Sequence, residues 1–103
     1  MLTVYVKYFG KLRDLLNVRS EMFNLEVGST LSDLLLKEIP VKHSNIGDAW
    51  IRTIFVVDKE AESKEAFPLQ RKYIVLVNGK SISLGDNLNN GDEIAVLPPF
   101  GGG

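Results

Sequence analysis

Apolar and polar positions alternate from the first residues of the chain. Leu2, Val4, Val6 and Tyr8 share one face, and Thr3, Tyr5, Lys7 and Phe9 the other. With many β-branched and aromatic side chains, this pattern predicts a strand. Gly10 interrupts it, and Lys11 to Asn17 predict a short helical turn with Leu12, Leu15 and Leu16 inward. A second strand is predicted over Glu21 to Val27, with Phe23, Leu25 and Val27 on one side. Its early return along the chain predicts antiparallel pairing with the first. Gly28-Ser29-Thr30 then opens a helix. Thr30 suits the N-cap, and Asp33 stands where the acid of a capping box belongs. Leu31, Leu34, Leu35 and Ile39 recur at helical spacing, and Pro40 is expected to stop the helix.

Beyond Pro40 the pattern weakens. Asp48 to Ile54 predict another helical turn, anchored by Trp50. Asp58 to Ala66 carry dense charge and predict an exposed loop or insertion. Order returns at Tyr73 to Val77, a nearly continuous apolar run that predicts a central, buried strand. Asn78-Gly79 is a strong hairpin signal, with Lys80 to Leu84 as the return strand. Asn90-Gly91 marks a further turn, and Asp92 to Leu97 form the last strand. The order β-β-α-(variable)-β-β-β predicts an α+β fold, a sheet of about five strands with one main helix packed on one face. Residues 1–97 form the expected domain, with 41–70 as a variable insert, and 98–103 the expected flexible tail.

Composition narrows the function. The 103 residues are 45% hydrophobic and 24% charged, with a net charge of -1, as expected of one folded domain. Twelve Lys and Arg are balanced by thirteen Asp and Glu, and no basic cluster is evident, so nucleic acid is not an expected partner. The absence of Cys excludes disulfides, thiolate metal sites and a Cys nucleophile. No apolar stretch approaches a membrane span and no signal-peptide layout is present, so a cytoplasmic location is expected. His43, the single histidine, is expected to be an exposed surface residue. Glu60, Glu62 and Glu65, with Lys59 and Lys64, read as a solvated segment rather than a metal site. No acid and base stand at a catalytic spacing. The chain is therefore expected to be a substrate or carrier rather than an enzyme, with no bound cofactor and no metal.

The chemistry concentrates in Pro98-Pro99-Phe100-Gly101-Gly102-Gly103, directly after the apolar run Ile94 to Leu97. Two prolines stiffen the exit, and side chains then vanish. Six extended residues reach roughly 20 Å. A thread without Cβ atoms fits a cleft that larger residues would block, so the Gly103 carboxylate becomes the group on offer. A free carboxylate acylates poorly and needs activation by another protein. Pro98, Pro99, Gly101 and Gly102 are the expected threading residues. Tyr5, Ala95, Leu97 and Phe100 are the expected docking residues, on the sheet face opposite the helix.

The opening Val4-Tyr5-Val6-Lys7-Tyr8-Phe9-Gly10, the hairpin Val77-Asn78-Gly79-Lys80, the turn Gly91-Asp92-Glu93 and the ending Leu97 to Gly103 together resemble the MoaD/ThiS branch of the ubiquitin-like β-grasp proteins. The resemblance implies a sulfur carrier. A MoeB-like adenylating enzyme of the ubiquitin-activating type uses ATP to adenylate Gly103, and a sulfur donor converts it to a thiocarboxylate. In the MoaD case the carrier is the non-catalytic small subunit of molybdopterin synthase, and its tail enters the large subunit in molybdenum cofactor biosynthesis. In ThiS the sulfur goes to the thiazole of thiamine. Archaeal small modifiers join the activated glycine to target-protein lysines. Gly101 departs from the usual Ser, Thr or Ala before the diglycine, and the middle segment is longer than usual. A protein modifier and a non-covalent β-grasp interaction domain remain the alternatives.

Overall fold

Among the described residues, five strands build one mixed sheet: β1 (Leu2–Tyr8), β2 (Ser20–Leu25), β3 (Ile74–Val77), β4 (Lys80–Ser81) and β5 (Glu93–Leu97). The computed structural model describes residues 1–56, 68–69 and 73–99. Across the sheet the order is β2-β1-β5-β3-β4. β2 runs antiparallel to β1, and β4 antiparallel to β3. β5 runs parallel to β1 on one side and antiparallel to β3 on the other. The expected α+β architecture is the one observed, a ubiquitin-like β-grasp.

The alternation along β1 is realised: Leu2, Val4, Val6 and Tyr8 are buried. Opposite them on the same face lie Leu25, Phe23 and Glu21 of β2 and Ile94 and Val96 of β5. Three expectations for the strands change. Val27 lies past the end of β2 and is 80% exposed. β3 is not the central strand; β5 is, and Ile74 of β3 is 40% exposed. An all-apolar run need not be buried on both faces, because Val75 and Val77 face the core while Ile74 and Leu76 take the other side. β4 ends at Ser81, well short of Leu84. The Leu84 carbonyl instead accepts the Ser32 N–H at 2.8 Å, which ties this loop to the start of the main helix. The hairpin at Asn78-Gly79 is as expected. Both residues have positive φ, 53° and 80°, as a tight two-residue turn that matches strand twist demands.

Helices cover the inner face. α1 (Lys11–Leu16) turns Leu12 and Leu16 into the core. The main helix starts at α2 (Leu31–Asp33), continues as a π-helical run (Leu34–Glu38) and finishes as α3 (Ile39–Lys42). Its start has the predicted capping box: Thr30 Oγ1 accepts the Asp33 N–H at 3.1 Å, and Asp33 Oδ2 accepts the Thr30 N–H at 2.9 Å. Leu34, Leu35 and Ile39 are fully buried, each worth roughly 1.5–3 kcal/mol of transfer free energy. A 3₁₀ turn (Ser44–Ile46) leads to α4 (Gly47–Ile54), the helix anticipated around Trp50. The charged segment Asp58 to Ala66 lies outside the described residues.

Pro40 does not stop the helix. A proline inside an α-helix clashes with the carbonyl four residues back and leaves one acceptor without its N–H. Here the helix widens first, and the Ile39 N–H bonds the Leu34 carbonyl, five residues back. In that register the Leu35 carbonyl would look to residue 40, which has no N–H. Trp50 of α4 fills the gap, donating Nε1–H to the Leu35 oxygen at 2.8 Å. Trp50 is thus a packing residue with a second task. Its ring also meets Tyr8 edge-on, at 5.7 Å between centroids and 83°.

His43 is not a free surface histidine. It sits at the end of α3, with its side chain 17% exposed. Its Nε2 lies 3.0 and 2.8 Å from the two Glu21 carboxylate oxygens. Tyr8 donates its hydroxyl to Glu21 Oε2 at 2.5 Å. Lys42 Nζ stands 3.4 Å from Glu21 Oε1 and donates to the Met22 carbonyl at 3.1 Å. Glu21 thus takes an inward position on β2 because tyrosine, histidine and lysine surround it. Burial, then the hydrogen bond to Glu21 and its negative charge, push the Tyr8 phenol far above its ordinary 10.0.

Trp50→Phe leaves the Leu35 carbonyl buried without a donor and should cost about 2–4 kcal/mol, read as a lower melting temperature. In a Pro40→Ala background the restored N–H can serve that carbonyl, so the same substitution should cost less; equal costs in both backgrounds would refute the account. Tyr8 keeps its proton in the folded state after the unfolded chain releases it. Its contribution is therefore intact below the unfolded value and lost as pH rises above it. Between about pH 9 and pH 11 the melting temperature should fall less steeply in Tyr8→Phe than in the parent.

Candidate functional site

β5 is held at both ends. At its start, Asp92 is buried and bonds two turns together. Its Oδ1 accepts Asn78 Nδ2–H and its Oδ2 accepts the Asn89 N–H, each at 2.8 Å. Asn78 Oδ1 in turn accepts the Glu93 N–H at 2.9 Å. At its far end, β5 runs from Leu97 into Pro98 and Pro99, both half-buried. Pro98 rests on Gly10, the residue between β1 and α1. A Cβ at position 10 would stand 2.8 Å from Pro98 Cγ. Gly10 also has φ 59° and ψ −134°, a conformation that side-chain-bearing residues rarely adopt. Gly10 does more than interrupt the alternation of β1: its lack of a Cβ lets the root of the tail lie against the β1–α1 corner. Phe100, Gly101, Gly102 and Gly103 lie outside the described residues.

The sheet face away from the helices carries the other candidates. Tyr5 is 45% exposed, and Ala95 and Leu97 are half-buried. Ala95 pairs with Lys7 on one side and Leu76 on the other, and Leu97 pairs with Ile74. Met22, opposite Tyr5, is 50% exposed. The face therefore includes Met22, Ile74 and Leu76, three residues beyond those expected from the sequence. Alternation along β2 and β3 holds the signal, but an unbroken apolar run such as that in β3 looks from sequence like a strand buried on both sides. A run of apolar side chains leading to Pro98 and Pro99 is more than a monomer needs for its own core.

Among the described residues no group of three or more His, Cys, Asp or Glu gathers to hold a metal. No described helix is long and apolar enough to cross a membrane.

Comparison with known proteins agrees with this geometry. The human molybdopterin synthase sulfur carrier subunit is 34% identical over 104 residues, covering 97% of this chain and 93% of that protein. The solution structure of small archaeal modifier protein 1 from Methanosarcina acetivorans is 30% identical, with a TM-score of 0.71, over all of this chain and 98% of that one. The crystal structure of SAMP1 from Haloferax volcanii is 25% identical, with a TM-score of 0.72, over 98% of this chain and 99% of that one. The ThiS family model matches residues 6–103, from the middle of β1 through the final glycine, and the chain belongs to the ThiS family.

Proposed function

We propose that this protein is a sulfur carrier for molybdopterin formation, working through the carboxylate of Gly103. An adenylating enzyme of the MoeB or ubiquitin-activating type joins a carboxylate oxygen to the α-phosphorus of ATP, and pyrophosphate leaves. Hydrosulfide released by a sulfur donor then attacks the carbonyl carbon, AMP departs with the C–O electron pair, the S–H proton is lost, and a thiocarboxylate results. The tail next delivers that sulfur inside the large subunit of molybdopterin synthase. The carrier binds no cofactor and acts as substrate, not catalyst, in the cytoplasm.

The observation that carries this reading is the course of β5. The strand lies at the centre of the sheet and passes into Pro98 and Pro99, with Pro98 seated on Gly10. Beyond them the sequence has four residues, Phe100, Gly101, Gly102 and Gly103. A rigid root and a side-chain-free tip let another protein take the carboxylate at small entropic cost. The 34% identity to the human sulfur carrier subunit supports the molybdopterin assignment. The archaeal relative, called a modifier protein, favours a second reading in which Gly103 is joined to lysines of target proteins. Both readings share the adenylation step and differ in the nucleophile that follows.

Intact-mass measurement separates them. With ATP, the host's adenylating enzyme and a sulfur donor, the chain should gain the mass difference of sulfur for oxygen; lysine adducts on other proteins would favour the modifier. Deleting Gly102 and Gly103 should abolish both products, and an unchanged yield would end the proposal. The docking assignment has its own check. Tyr5→Asp and Phe100→Asp should each weaken association with the adenylating enzyme roughly tenfold, about 1.4 kcal/mol, in a direct binding assay.

A further inference from the structure

The β1–α1–β2 corner gathers positive charge at the root of the tail. Lys11, Arg13 and Arg19 line one surface hollow together with Gly10, the residue on which Pro98 rests. Lys7, paired with Ala95 on the outer face, extends the group toward the apolar patch. All four side chains are exposed, and none is in an ion pair with a described carboxylate. Asp14 is the one acid lining the hollow. Arg13 is held in place: its Nε–H donates to the Tyr8 carbonyl at 2.9 Å, and its guanidinium stands 5.4 Å from the Phe9 ring centroid. The chain as a whole carries a net charge of -1, so this corner departs from the average. No basic cluster is evident along the sequence; the turn at Gly10 and the pairing of β1 with β2 bring these residues together.

We propose that Lys7, Lys11, Arg13 and Arg19 form a basic collar that docks on an acidic rim around the tail-accepting cleft of the adenylating enzyme. The inference rests on the carrier reading above and adds the chemistry of the contact. Opposite charges at the rim of an interface speed encounter and fix orientation more than they add to final affinity. The collar lies on the side of the root where Pro98 meets Gly10, so it orients the chain before the tip enters the cleft. The phosphates of ATP are a poorer match. They meet the Gly103 carboxylate, and an extended run over residues 99–103 would carry them about 17 Å from the root. Nucleic acid is a poorer match too, because four cations on a chain of net negative charge make a small footprint.

The test uses the full chain, the host's adenylating enzyme and ATP, with pyrophosphate release as the readout. The double variant Lys11→Glu/Arg19→Glu should raise the half-saturating carrier concentration about tenfold at about 0.02 M salt, and the gap should close near about 0.5 M as screening shortens the reach of charge. Lys80→Glu, at the opposite end of β3 from the tail root, should behave as the parent. Equal half-saturation for double variant and parent at low salt overturns the collar while leaving the carrier reading intact. Loss of binding to polyuridylate with unchanged adenylation also overturns it, in favour of a nucleic-acid surface. If the parent chain itself releases no pyrophosphate with the enzyme, the carrier reading fails and the collar with it.

Discussion

β5 lies between β1 and β3, and the sheet is continuous only through it. β1 and β2 form one antiparallel pair near the start of the chain, and β3 and β4 form another much later. Neither pair touches the other in the strand order except through β5. Without this strand, one edge each of β1 and β3 would lose its hydrogen-bonding partner, and buried backbone groups need partners. The strand that closes the sheet is also the one that leads into the tail. The root of the tail therefore inherits the rigidity of the most constrained strand, with Asp92 tying one end and the Gly10–Pro98 contact the other.

The helical layer depends on the same rule applied to polar groups in an apolar interior. Pro40 removes a donor from the main helix, and the chain answers with a π-helical run and an indole N–H from another helix. Glu21 brings a carboxylate to the inner face, and Tyr8, His43 and Lys42 gather around it. Each arrangement links two elements far apart in sequence. Trp50 binds α4 to the main helix, and Glu21 binds β2 to the end of α3. Together they hold the helices on the sheet in one register, because an unpaired polar atom there costs more than a paired one returns.

What faces outward is sorted by the same geometry. The inner side chains of β1, β3 and β5 fill the core, so the outer ones form a partly apolar face that ends at the tail root. The β1–α1 turn sets basic residues at that same root. An apolar patch and a charged corner thus meet near Pro98, where β5 ends.

Local signals in the chain determined much of this. Alternation placed the inner face of β1, and the Thr30 and Asp33 pair marked the helix start, because a capping box is closed within four residues. Asn78-Gly79 marked the hairpin for the same reason: its positive φ angles are a property of those two residues. The prolines after Leu97 marked the end of the last strand. Other features rest on contacts between residues distant in sequence, which no window along the chain contains. Pro40 reads as a stop until Trp50 comes within reach of the Leu35 carbonyl. His43 reads as a surface residue until β2 brings Glu21 beside it. The run Tyr73 to Val77 reads as a central strand until β5 takes the centre and leaves Ile74 facing out. Tertiary structure decided these three because each depends on which donor, acceptor or strand edge the fold brings into range.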